Sequence, residues 1–189
     1  MEVVSAVPFL SIVTRCFRRP SALALNRASV HAQSDDDLEQ IFIVDSHGMG
    51  LLAANQSLHQ NRSEVRGRYV FILDDDDYLI RTDFVSKIKQ VAKDYSPDVI
   101  IIKMISVGGK IIPTEDTWKK APVFCKIGTS CVVVKNKIWQ RHIEAFGQPS
   151  AGDYAFIKEL TRKRHGYSIR WVNLLASKVQ YHGKGKPEP

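Results

Sequence analysis

The sequence is poor in cysteine: three residues, Cys16, Cys125 and Cys131, an odd number with no CxxC spacing. That argues against a disulfide framework and against a cysteine-based structural zinc site, and it makes a reducing cytoplasm the expected location. Long apolar runs are missing too, none approaching the roughly 20 residues that a membrane span requires. The opening "MEVVSAVPFLSIVTRCFRRP" is apolar first and basic second, the reverse of a secretory signal. Internal repeats are absent. There is no aromatic-rich RNP strand or zinc-finger spacing of the kind that marks nucleic-acid binding modules, so no nucleic-acid partner is expected. A composition of 44% hydrophobic and 25% charged residues in a 189-residue chain excludes general disorder and fits one domain with a real core.

Positive charge is in excess. Lys and Arg number 27 against 20 Asp and Glu, a formal +7. Much of the excess lies in Arg15, Arg18 and Arg19, in Arg62, Arg66 and Arg68, and in "TRKRHGYSIR". Such a balance favours an anionic partner: a nucleotide diphosphate, an acidic polymer or peripheral contact with a membrane surface. A solvated basic face is the plainer alternative.

Strand and helix signals alternate over the first two-thirds of the chain. Short apolar runs at 9–14, 40–45, 68–74 and 97–107 read as strands. Segments 19–33 and 82–96 read as amphipathic helices, the second capped by Thr82 or Asp83, and 50–65 as helical or irregular. Strands apolar on both faces, alternating with helices, predict an α/β fold with a mostly parallel sheet flanked by helices. Past residue 110 the pattern loosens: a strand turning into a helix over 128–143, a helix over 152–166 with Gly166 as its C-cap, and a last strand in "YSIRWVN". Residues 1–110 and 111–189 are therefore expected as two halves of a single domain.

The chemistry concentrates in "GRYVFILDDDDYLI", where Tyr69–Leu73 runs into Asp74, Asp75, Asp76 and Asp77. Adjacent carboxylates repel one another, and folding alone does not call for them. Open parallel sheets bind ligands beyond the carboxyl ends of their strands. Thr14 and Arg15 close the first strand, Asp45 the second and the four aspartates the third, so all fall along one sheet edge. Grouped carboxylates are hard ligands for Mg²⁺ or Mn²⁺, and a cation lets neighbouring acids stay ionised. The plainer reading is that Asp76 or Asp77 caps a subsequent helix.

Together, "PFLSIVTRCFRRPSALALNRASVHAQ", "QIFIVDS" and "VRGRYVFILDDDDYLI" resemble the glycosyltransferase family 2 pattern, over roughly residues 8–105 and more weakly to about 165. The resemblance implies a GT-A fold, a DxD motif and a metal-dependent, inverting hexosyl transfer. The donor would be a nucleotide-sugar, commonly a UDP-sugar, and the acceptor a glycan, lipid-linked or other hydroxyl. It places Thr14, Arg15 and Asp45 beside the nucleotide. It makes Asp74 and Asp76 the DxD acids on Mn²⁺ or Mg²⁺, with Asp76 the direct ligand and Asp75 or Asp77 assisting. Asp153 takes the general-base position, and His182 that of a late metal or diphosphate ligand. The alternatives for the last two are a helix cap and a surface histidine.

The sequence also departs from that pattern. "VDSHG" carries Ser46 where the family often has a second acid, which leaves base recognition and the role of His47 open. Trp118, in a polar loop, is the weak candidate for stacking on an acceptor sugar, whereas Trp139 is expected in the core. A nucleotidyltransferase would share the sheet and the metal, but "VTRCFRRPS" lacks the glycine-rich loop that holds a triphosphate. An inactive nucleotide- or glycan-binding relative is the remaining alternative.

Overall fold

A computed structural model of the chain describes residues 6–148 and 150–180. Among these residues eight strands form one sheet: β1 (Leu10–Cys16), β2 (Leu38–Val44), β3 (Tyr69–Ile72), β4 (Asp77–Leu79), β5 (Val99–Ile105), β6 (Ile111–Ile112), β7 (Val132–Lys135) and β8 (Ile169–Val179). Their spatial order is β2-β1-β3-β7-β5-β8-β4, with β6 hairpinned onto β5. β1 is parallel to both β2 and β3, and β5 is parallel to β8. β7 lies antiparallel between β3 and β5, so β1, β2, β3, β5 and β8 all run one way. The expected mostly parallel sheet is present, with β4, β6 and β7 reversed within it.

Five helices cover the two faces: α1 (Pro20–His31), α2 (Leu51–Gln60), α3 (Phe84–Tyr95), α4 (Asn136–His142) and α5 (Gly152–Leu160). Side chains on a strand alternate between faces, and here both faces are apolar. Leu10, Ile12, Phe71, Ile100 and Ile102 pack with Phe84, Val85 and Ile88 of α3 and Val30 of α1. Val13, Val70, Ile72, Val99 and Ile101 pack on the other side with Leu58, Trp139, Phe156, Ile157 and Leu160. Two apolar cores thus sandwich the sheet, and Trp139 is fully buried, as expected.

Three local details differ from expectation. Asp83 stands at the N-cap position of α3 but makes no side-chain cap, because Arg81 Nε and Nη2 hold its carboxylate at 2.7 and 2.8 Å. The helix expected over 152–166 stops at Leu160, and Gly166 instead closes a short 3-10 turn, Lys163–His165, at φ +64°. β8 runs to Val179, well beyond the expected last strand. Its far end pairs Val179 with Asp77 of β4, and Gln180 N–H bonds the Asp76 carbonyl at 2.7 Å. The last strand therefore buttresses the aspartate turn. Among the described residues no helix is long and apolar enough to cross a membrane.

Candidate functional site

β1, β2 and β3 end side by side, and the chain between β3 and β4 is the aspartate turn. Asp75 N–H bonds the Arg15 carbonyl at 3.2 Å and Asp77 N–H bonds the Asp74 carbonyl at 2.8 Å. The turn leads into the strand β4, so neither Asp76 nor Asp77 caps a helix; the next helix begins at Phe84. From α1, the buried Asn26 donates through Nδ2 to the carbonyls of Asp74 and Asp77, both at 2.9 Å, and its Oδ1 accepts from Gln40 at 2.8 Å. The turn is thereby held by its backbone, and its side chains are left to make other contacts.

Those contacts are chiefly to two arginines. Arg15 grips Asp74 with both arms, Nε to Oδ1 at 2.7 Å and Nη2 to Oδ2 at 2.6 Å, while its Nη1 donates to Asn55 of α2 at 2.6 Å. Arg19, just before α1 and 8% exposed, pairs with Asp76 at 2.7 Å and also with Asp75. Asp75 accepts the Phe17 N–H at 2.8 Å. Asp77 is buried against Ser130, whose hydroxyl lies 2.6 Å from its Oδ2 and 3.2 Å from the Ile72 carbonyl. One hydroxyl hydrogen cannot serve both acceptors, and a protonated Asp77 resolves this by donating to Ser130.

Burial drives the proton affinities the same way. It pushes Asp75 up to about 6 against the pull of Phe17 N–H and Arg19. Burial, with repulsion from Asp74 and Asp76, holds Asp77 well above the ordinary carboxylate range. Burial and Asp74 raise Asp76 as well. Burial opposes the Arg15 charge, but Asp74 more than compensates and its proton is held more tightly than usual. A buried acid that cannot be fully paired takes up a proton rather than remain charged.

A cavity of about 190 Å³ opens at this edge, walled by Arg15, Arg19, Asp45, Asp74 and Asp76 on its polar side and by Phe17, Ile43 and Leu51 on its apolar side. Asp45 spends its carboxylate on its own loop, accepting from the N–H groups of His47, Gly48 and Met49 at 3.0, 2.7 and 3.1 Å. That loop needs glycine at 48, where φ is +72° and a Cβ would stand 2.9 Å from the Phe17 ring. Ser46 and His47 are exposed and bond to each other at 2.8 Å.

Of the residues expected at the site, the structure brings Arg15, Asp45, Asp74 and Asp76 to the cavity wall. Thr14 is not there: its hydroxyl is fully buried and accepts from Gln40 at 2.9 Å, because successive residues of β1 face opposite sides of the sheet. Asp75, 1% exposed, stands behind the wall as a partner of Arg19. Asp153, in the first turn of α5, is outside the cavity but within electrostatic reach of Arg15 and Asp74. Burial raises its proton affinity, and its Oδ1 accepts its neighbour's N–H at 2.8 Å. α5 can start where it does because residue 152 is glycine: a Cβ there would lie 2.3 Å from the Phe146 carbonyl. His182 lies outside the described residues. Trp118 packs edge-on against Trp171 of β8 at 5.0 Å, with Lys103 Nζ 4.8 Å from its ring centre.

Asn26, Asn55 and Ser130 do not stand out as site residues in the sequence, and Arg19 stands out there only as part of the basic excess. Asn26, a polar residue inside an apolar helical stripe, is the readable signal among them.

No protein-family model and no curated protein matches the chain. Solved structures do. S. aureus TarS residues 1–349, crystallised with UDP, superposes with a TM-score of 0.69 at 12% identity over 90% of this chain and 60% of that one. The same protein with UDP-GlcNAc gives 0.66 at 12% identity, covering 90% and 58%. A197 from STIV gives 0.50 at 14% identity, covering 87% and 81%. The fold is of the GT-A type. The chain spans about three-fifths of the TarS fragment it matches.

Proposed function

We propose that the chain is a nucleotide-sugar glycosyltransferase, moving a hexosyl group from a nucleotide diphosphate donor, a UDP-sugar in the first instance, to a hydroxyl acceptor with inversion. The observation that carries this reading is the cavity at the ends of β1, β2 and β3, where two arginines and three aspartates meet an apolar shelf. The shelf, with Phe17, suits a base, and the charged wall suits a diphosphate. Arg19 keeps a buried Nε–H with no partner among the described residues, a donor still to be satisfied. Support also comes from the fold likeness to TarS, crystallised with UDP and with UDP-GlcNAc.

Asp76 and Asp74 are the hard oxygen donors at the wall that would hold Mn²⁺ or Mg²⁺ once Arg19 and Arg15, which pair with them here, turn to the diphosphate. Such a cation would supply positive charge to a departing diphosphate. The chain's own residues supply the remainder. Arg15 and Arg19, exchanged from aspartate to phosphate oxygens, orient the diphosphate and neutralise it. Asp153 accepts the acceptor hydroxyl's proton as that oxygen attacks the anomeric carbon opposite the leaving group. Its raised proton affinity suits a base that must hold a proton during the step. The same arginine pairing favours a second reading, a nucleotide-binding protein without turnover, because Asp74 and Asp76 already carry a counter-charge.

Calorimetry with UDP and UDP-sugars, with and without Mn²⁺, tests the proposal together with release of UDP from the donor. Binding is expected to tighten at least tenfold with the cation, and Asp153→Asn is expected to abolish UDP release while retaining donor binding. Equal binding without metal removes the cation from the site; binding with no turnover under any donor establishes the second reading.

A further inference from the structure

Away from the aspartate turn, a second cluster joins three elements of the chain's latter half. His142 ends α4, Glu159 lies in the last turn of α5, and His165 ends the 3-10 turn just beyond it. His165 Nε2 is 2.7 Å from Glu159 Oε1, and the His142 and His165 ring centres are 4.8 Å apart. One ligand atom from each of the three residues lies within 4.8 Å of the others. Each of the three side chains is half-buried.

The surroundings orient these groups. Arg162 Nη1 holds Glu159 Oε2 at 2.7 Å, leaving Oε1 as the oxygen turned to His165. Tyr167 stacks nearly parallel on the His165 ring, at 15° and 5.2 Å, and its hydroxyl lies 2.8 Å from His142 Nε2. Such outer partners fix ring orientation at metal sites. Two imidazoles and a carboxylate are a zinc-type ligand set, unlike the all-oxygen wall of the aspartate turn. Ligands about 2.0–2.1 Å from a tetrahedral zinc stand about 3.3 Å apart. The pair already at 2.7 Å must therefore open slightly and the widest pair close by about 1.5 Å, within the reach of side-chain rotation.

We infer that His142, Glu159 and His165 form a binding site for a zinc-type divalent cation, with three protein ligands and a fourth position open. That position borders a cavity of about 700 Å³, lined in part by Arg141, His142 and Glu159. Arg164, 65% exposed and 3.0 Å from Glu159 Oε1, must give way to the ion, and solvent can receive it. Arg141 and Arg162 then make an anion or a hydroxide the favoured fourth ligand. The ion ties the end of α4 to α5 and to the segment leading into β8. The inference stands whether or not the chain transfers sugar.

The test is zinc titration of the full, EDTA-treated and dialysed chain against a chromophoric chelator, in excess Mg²⁺ to saturate the aspartate wall. One equivalent of Zn²⁺ is expected to bind and to raise the thermal midpoint. His142→Ala and His165→Ala are each expected to weaken zinc about 100-fold or more, beyond the 10–100-fold typical of outer-partner losses. Tyr167→Phe, which removes an outer partner of His142, is expected to weaken zinc by no more than about 10–100-fold. Circular dichroism of each variant confirms that the fold survives. Absence of a zinc equivalent in the native chain, or its survival in the His142→Ala/His165→Ala double variant, overturns the inference.

Discussion

Arg19 shows what one residue contributes to this molecule. Four neighbouring carboxylates at the end of a buried strand are tolerated because Arg19 pairs with two of them, Arg15 with a third, and Asp77 is held with Ser130. Removing one partner from a buried ion pair leaves the other charge uncompensated, typically at about 3–5 kcal/mol, whereas exposed pairs contribute roughly 0–1 kcal/mol. Arg19→Met is thus expected to cost about 3 kcal/mol in urea unfolding at pH 7. Arg66→Met, which breaks an ion pair whose arginine is 61% exposed, is expected to cost under about 1 kcal/mol. The Arg19 deficit should shrink toward pH 5, where Asp75 takes up a proton. Equal losses for the two variants would mean that the aspartates do not depend on Arg19. The carboxylate cluster was legible in the sequence because it is contiguous. Its counter-charge was not, since Arg19 and Asp76 are 57 positions apart and only β1–β3 pairing brings them together.

At the scale of elements, α5 delivers Asp153, and its start is set by packing rather than by a capping side chain. The residue before it, Ala151, sits at φ +55° and makes no side-chain cap. Gly152 passes so close to the Phe146 carbonyl and Asn55 that a methyl group has no room, with gaps of 2.3 and 2.7 Å from a Cβ. Asn55 is also the residue that supports Arg15. Gly152→Ala should therefore displace the start of α5 and lower stability by about 1–3 kcal/mol, as overpacking generally does. It should also reduce any turnover more than donor binding. A variant with unchanged thermal midpoint and unchanged rate would detach Asp153 from the site. Helix α5 was readable from its apolar spacing, but its end was not. Thr161 takes over as C-cap, with its N–H on the Glu159 and Ile157 carbonyls, and no glycine marks the place.

For the whole molecule, two sets of carboxylates impose opposite pH dependences. Asp98 and Glu39 are held below their ordinary range, burial being outweighed by hydrogen bonds from Ser168 and Lys135 and from Ser11 and Arg66 respectively. Their contribution is present above the unfolded carboxylate range and is lost as pH falls through the folded values. Asp75, raised to about 6, and Asp77, held well above the ordinary carboxylate range, bind protons more tightly when folded. Their contribution is full below the unfolded carboxylate range and is lost as pH rises through the folded values. Asp77→Asn keeps a donor to Ser130, its amide N–H, without the charge. It is expected to raise the thermal midpoint at pH 7 by a few degrees, about 2–4 °C per kcal/mol at this size, with the gain vanishing near pH 4. A gain that persists at pH 4 would assign the effect to packing instead of ionisation.

Taken alone, the sequence determined the α/β class, the strands β1, β2, β3 and β5, the burial of Trp139 and the meeting of Asp45, Asp74 and Asp76 at one sheet edge. These stem from local apolar patterning and from the rule that parallel strands end on the same side. Tertiary structure decided what those carboxylates touch, which of Thr14 and Arg15 faces the cavity, where β8 ends and how His142 comes to lie beside Glu159 and His165. Each of these depends on strand register or on contacts between distant segments, and neither leaves a periodic trace along the chain.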